Sequence, residues 1–291
     1  MSPPGSSGPP GPSVVSAAAV KELRAMTGAG MMDCKTALVE ADGDLQAAER
    51  KLKEQGLAAA AKRTGRAAEE GRVFAAVQNG GAALLELSSE TDFVARNDQF
   101  VSLGRSLVVH ALEHALHDPD EHMQQAIGDL ASRIRENIGF RRCAVVAVDA
   151  AAGEHVAEYV HGEGSIGVLV KMRTGGTVDD QVRQTAHDLA LHVAAFAPRF
   201  LSPDDVDAAY RDEQEQIFRT QAEALDKPQK VTEGIVRGKL SKHLSEICLL
   251  EQGFVKDEKQ KVKQVLAGLG KSLGEPVSVA EFRYFKVGDQ V

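Results

Sequence analysis

Cysteine is scarce and widely spaced in this chain: Cys34, Cys143 and Cys248 are the only three in 291 residues, and none falls in a Cys-x-x-Cys pair. Zinc clusters, dithiol redox motifs and disulfide frameworks need such proximity, so the pattern argues against all three and for a reducing compartment. Long apolar runs are missing too, and no stretch approaches the length that crosses a bilayer as a helix. Positive charge is in deficit, with a net charge of −8. No global field recruits a phosphate backbone, and nucleic acid is a poor partner. The basic cluster Lys62, Arg63, Arg66 and Arg72 is interrupted by Glu69 and Glu70 and reads as a solvated linker face. Residues 1–13 are Pro, Gly and Ser after the initiator. They lack the apolar core of a secretory signal and the arginines of a transit peptide, and residues 1–15 are expected to be a disordered extension. Catalytic signatures are absent as well: there is no Gly-x-Ser-x-Gly elbow and no His-Glu-x-x-His helix. His110, His114 and His117 share a helical face near His122, but without a carboxylate at fixed spacing they read as surface histidines rather than metal ligands. No cofactor is called for, and no enzymatic bond chemistry.

What is present centres on Ser88-Ser89-Glu90-Thr91-Asp92-Phe93-Val94-Ala95-Arg96-Asn97. An apolar run, Ala82 to Leu87, precedes it and reads as a buried strand. Phe100, Leu103, Leu107, Val108, Ala111 and Leu112 follow it at the spacing of one helical face. The segment is therefore a strand-to-helix corner, in which Ser89, Thr91 and Asp92 can cap backbone N–H groups and Asn97 or Asp98 can start the longer helix. Phe93 is what capping leaves over. A large ring beside an acid on a polar corner either turns into the core or is kept outside for a partner.

Upstream, Val20, Leu23 and Met26 form one apolar face, Met31 to Val39 a second helix, and Leu45, Ala48 and Leu52 a third, with breaks at Thr27-Gly28-Ala29-Gly30 and Ala41-Asp42-Gly43-Asp44 and closure at Gly56. A three-helix domain over 16–56 follows, with a helical linker over 57–71. Cys34-Lys35-Thr36 is not the end of a phosphate loop, because no glycine directly precedes the lysine and no strand precedes the glycines.

Downstream, the chain contains an internal duplication. Val73 to Val77, a turn at Asn79-Gly80-Gly81, and Ala82 to Leu87 match His155 to Val160, a turn at Gly162-Glu163-Gly164, and Ile166 to Val170. Each hairpin is followed by a helix, Gln99–Leu116 or Asp179–Ala195, and each copy closes with a strand, Cys143–Val148 or Val279–Val287. The expected subdomains are 72–150 and 151–291. The second holds an insertion of about 203–252, in which Asp226-Lys227-Pro228 separates two helical patterns and gives an antiparallel helical hairpin.

Glu90-Thr91-Asp92-Phe93-Val94-Ala95-Arg96-Asn97 resembles the signature of the translation elongation factor Ts family. Lys21 to Arg24, Thr27 to Lys35, Gly43-Asp44, Lys227-Pro228, Gly238-Lys239-Leu240 and Leu249 to Gln252 extend the resemblance over about residues 16–288. Ser88-Ser89 departs from the Asn-Cys pair common before the signature. The resemblance implies an α+β protein with an N-terminal ubiquitin-associated-like three-helix domain, then two related subdomains with antiparallel sheets and an inserted coiled-coil hairpin. It implies a guanine nucleotide exchange factor that binds GDP-bound and nucleotide-free elongation factor Tu in the bacterial cytoplasm, or alternatively in a mitochondrial matrix or chloroplast stroma. One-to-one and two-to-two complexes both stay open. Thr91, Asp92, Phe93 and Val94 would dislodge the partner's magnesium ion, and Arg24, Met31, Met32, Lys35 and His161 would dock. The alternative is a ubiquitin-associated-like binding module on a non-catalytic scaffold.

Overall fold

A computed structural model describes residues 15–27, 29–63, 68–78 and 80–290, with side chains of 56–63 left out. The expected extension at 1–15 lies outside these residues except for Val15, as do Gly28 and Asn79 of two expected turns. The fold mixes helices with antiparallel sheets and divides into two compact units, described here in turn. The first comprises the described part of Met1–Gly71, with Leu87–Leu103 and Pro119–Phe140; the second comprises Arg72–Glu86, Gly104–Asp118 and Arg141–Val291.

In the first unit, helices α1 (Ala17–Thr27), α2 (Met31–Glu40) and α3 (Leu45–Arg63) close around Val20, Leu23, Cys34, Ala37, Leu38 and Ala48. The Ser16 hydroxyl accepts the Ala19 N–H and starts α1. Gly43, at φ 88°, ends α2 by donating its N–H to Leu38 O at 2.8 Å, a left-handed termination that glycine adopts without strain. Asp44 then caps α3, accepting from Gln46 N and Ala47 N. The closure expected at Gly56 does not occur, and α3 continues to Arg63. One internal glycine costs about 1 kcal/mol relative to alanine, and Leu57 followed by Ala58 to Ala61 is a run of the best helix formers. The same unit holds α6 (Glu121–Ile134), which is capped by Asp120, buries Met123, Ile127, Leu130 and Ala131, and packs on α3.

The second unit holds most of the duplicated sheets, with the ends of the first three strands, at Glu70–Gly71, Leu87–Ser89 and Ile138–Phe140, counted in the first. Strands β1 (Glu70–Gln78), β2 (Gly81–Ser89) and β3 (Ile138–Ala147) pair in the order β1-β2-β3. Strands β4 (Glu154–His161), β5 (Ile166–Arg173) and β8 (Ser278–Lys286) pair in the matching order β4-β5-β8. In the second sheet both ladders are antiparallel, from Glu154 opposite Arg173 to His161 opposite Ile166, and a bulge interrupts β5–β8 between Lys171 and Met172. Period-two alternation sorts β5 cleanly. Leu169 joins Val156, Phe285, Val73, Leu84, Ala144 and Val146 in a core between the two sheets. Val168, Val170 and Met172 face the other way, against Val182, Ala186, Leu189 and Val193 of α7 (Asp180–Phe196) and Val262 and Leu266 of α10 (Val262–Leu273). Helix α5 (Asp98–Glu113) takes the corresponding place in the first copy. There Gly104 lets it lie against β1, since a Cβ would sit 2.1 Å from the Phe74 ring.

The inserted hairpin is α8 (Ala208–Glu223) and α9 (Gln229–Ile247), packed along each other. Asp207 caps α8, and Asp226 at φ 49° with Pro228 at the start of α9 makes the reversal. Buried His192 of α7 ties its base to the fold: one ring nitrogen accepts the Val255 N–H at 3.1 Å and the other meets Gln252 Oε1 at 2.9 Å. The short hairpin β6 (Gly253–Phe254) with β7 (Asp257–Lys261) was not foreseen from the sequence. Its strands are too short to carry an alternating pattern.

Candidate functional site

The corner follows β2, the central strand of the first sheet. Every residue of β2 is buried. At its last residue the Ser89 hydroxyl donates to Thr91 O at 2.9 Å, and just beyond it the Glu90 carboxylate accepts the Asn137 N–H at 2.7 Å. Thr91 has extended dihedrals and caps the one-turn helix α4 (Asp92–Ala95), its hydroxyl oxygen accepting the Val94 N–H at 3.3 Å. The same hydroxyl donates to the Glu136 carboxylate at 3.0 and 3.1 Å. Asn97 then accepts the Gln99 N–H and starts α5.

These caps decide which side chains face inward. Val94 and Ala95 are buried, and residues on one helical turn diverge by about 100° each, so Phe93 is left outside. The residue is 81% exposed, the most of any large apolar residue among those described. The ordinary core reading of Phe93 is therefore excluded. Keeping such a ring in water forgoes about 1.5–3 kcal/mol of burial. Asp92 beside it lies 3.5 Å from Arg96 one turn on, with both carboxylate and guanidinium well solvated, an arrangement that contributes little to stability.

The residues expected to dock sit on the three-helix cluster of the same unit. Arg24 is exposed on α1, and Met31 (59%), Met32 (69%) and Lys35 are exposed on α2. Cys34, between them on the helix, and Leu38, one turn further on, face the core. Met26 (55%) joins this exposed apolar set. Its spacing from Leu23 fits the α1 core face, but it sits at the last turn of the helix and is exposed. Methionine's unbranched, polarisable chain suits a surface that must adapt to a partner. Asp33, among these residues, is ion-paired with Arg135, which directly follows α6. Asp33 and Arg135 also help line a cavity of about 590 Å³, whose mixed charges, with Asp129 and Glu49 set against Lys53 and Arg133, favour no ligand of one sign.

His161 belongs to the second unit, at the end of β4. Its Nδ1 lies 3.0 Å from Tyr159 Oη, and its carbonyl accepts the Ser165 hydroxyl. Gly162, Glu163 and Gly164 follow with φ of 54°, 55° and 100°, a tight turn that leaves the imidazole exposed at the hairpin end. Thr91 to Val94 thus share a unit with Arg24, Met31, Met32 and Lys35, and His161 belongs to the second unit.

Titratable groups elsewhere have structural partners. Buried Glu154 is held down to about 2 by the Asp149 N–H, then by Arg173 and Lys171. Burial pushes the Cys143 thiol up to about 12, far from a reactive thiolate. His114 Nδ1 lies 3.0 Å from the His110 carbonyl. Among the described residues no group of three His, Cys, Asp or Glu side chains is placed to hold a metal ion, and no helix is long and apolar enough to cross a membrane. The arrangement offers a presented ring, an acid and an adaptable apolar surface, which is the chemistry of protein recognition.

Comparison with known proteins gives one family and relatives of the same description. The sequence pattern of the family described as Elongation factor TS matches residues 90–289. The chain is similar to Elongation factor Ts of Borrelia hermsii, 47% identical over 273 residues, covering 92% of this chain and 98% of the relative. Elongation factor Ts of Borreliella burgdorferi is 45% identical over 280 residues, covering 95% and 100%. Elongation factor Ts of Treponema denticola is 42% identical over 277 residues, covering 94% and 98%.

Proposed function

This chain belongs to the elongation factor Ts family and is a translation elongation factor; on that premise we propose that it is the guanine nucleotide exchange factor for elongation factor Tu, acting in the bacterial cytoplasm. It makes and breaks no covalent bond. It binds the nucleotide-free partner more tightly than the GDP-bound partner, and by linkage GDP weakens the factor's binding by the same ratio. The ring of Phe93 enters an apolar gap between partner helices. Burial worth about 1.5–3 kcal/mol, if realised only in the opened partner, shifts its equilibrium about 10- to 150-fold. Asp92 disturbs the electrostatics around the partner's magnesium ion and phosphates, while Thr91 and Val94 fix the turn that carries both. Arg24, Met31, Met32 and Lys35, with His161 from the second unit, hold the factor in place.

The observation that carries this reading is the outward Phe93 on a turn whose flanking residues are capped or buried. The test is stopped-flow release of fluorescent GDP from elongation factor Tu. The wild type is expected to accelerate release strongly, and Asp92→Ala/Phe93→Ala to remove most of the acceleration. An unaccelerated wild type would leave a binding module on a scaffold.

A further inference from the structure

We infer that Glu136, distant in sequence from the corner, is the positioning residue that holds Phe93 in its presented direction; for its effect on GDP release this rests on the exchange reading above. Helix α4 is only four residues long, and a single turn has little stability of its own. Its one side-chain cap is Thr91, whose hydroxyl has one proton to donate and must present a lone pair to Val94 N. Glu136 takes that proton on both carboxylate oxygens, at 3.0 and 3.1 Å. The bond fixes the threonine rotamer and polarises its oxygen, which strengthens the acceptor that the cap requires.

Glu136 is itself held on both sides. Arg135 closes α6 in a left-handed conformation, φ 66°, with its N–H on Ala131 O at 2.9 Å and its guanidinium on the Asp33 carboxylate. Asn137 gives its N–H to Glu90, the residue before Thr91. One tripeptide therefore grips α2, Glu90 and Thr91 of the same unit. A side chain this exposed has little packing to orient it, so its direction is set largely by the backbone of α4. Loosening the cap would make the ring's ordering a cost of each productive encounter.

The experiment compares the full chain carrying Glu136→Ala and Glu136→Gln with the wild type, by hydrogen exchange of the Val94 amide and by GDP release over a range of factor concentrations. Glu136→Ala should speed Val94 exchange and lower the maximal release rate about five-fold, the size of a lost cap, with the half-saturating concentration nearly unchanged. Glu136→Gln keeps an acceptor oxygen and should restore both. Wild-type Val94 protection in Glu136→Ala overturns the inference whatever the release data show. So does normal protection loss with an unchanged maximal rate. If the wild type releases no GDP the exchange reading fails, and Val94 protection alone then decides the role of Glu136.

Discussion

Phe93→Ala removes the exposed ring while leaving the capped backbone intact, so stability should change by less than about 0.5 kcal/mol, as for surface substitutions generally. The cost should appear in function, as a fall in maximal GDP release. Thermal unfolding together with exchange kinetics separates the two. At buried His192 the expected effect is on stability instead. Burial depresses its pKa, outweighing the Gln252 bond, which raises it. The unfolded chain, with an ordinary histidine near 6.5, then takes up the proton first. Stability is therefore full above about pH 6.5 and falls as pH drops below it, and His155, depressed chiefly by burial and then by Arg183, adds in the same direction. Denaturant titrations at pH 7.5 and 5.5 should show this loss, and His192→Gln should make it shallower. Glu154 governs a second window: its stabilisation is present above the usual carboxylate range and is lost as pH falls toward about 2. At this scale the sequence revealed which residues were unusual but not where they pointed. The wording around Phe93 allowed both directions, and the choice rests on Val94 and Ala95 taking the inward places. Glu136 was invisible, because a contact between residues 45 apart leaves no local spacing to read.

Elements were more legible where their ends are written in local chemistry. Thr91, an expected cap, and Asp179, at the start of an expected helix, each cap a helix with their own side chains, and the hairpin glycines mark the β4–β5 turn. The repeat of hairpin, helix and closing strand followed from spacing alone. Helix α3 runs through Gly56, where a local breaker is outweighed by the alanine run beyond it. Replacing Gly56 by alanine should then stabilise the protein by about 0.5–1 kcal/mol. Urea denaturation checks this, and a loss of stability would contradict a continuous helix there. On α2, Met31→Ala/Met32→Ala should raise the concentration of factor needed for half-maximal GDP release several-fold while leaving the maximal rate nearly unchanged. Titrating the release rate separates this docking effect from that of the corner.

For the whole molecule, the family resemblance of separated motifs and the 42–47% identity to three spirochaete relatives place the chain among translation elongation factors. The physical description adds a division of labour. Under the proposed exchange reading, the adaptable surface would supply affinity, and the corner would supply affinity that differs between two states of the partner. Only the second can accelerate release, because a ligand that binds both states equally shifts neither. The most direct test is therefore the affinity of the wild type and Phe93→Ala for elongation factor Tu in its GDP-bound and nucleotide-free forms, measured by calorimetry. The wild type should prefer the nucleotide-free form, and Phe93→Ala should reduce that preference about 10-fold or more, mainly by weakening binding to that form. An equal loss of affinity for both forms would contradict the wedge and reduce Phe93 to a docking residue.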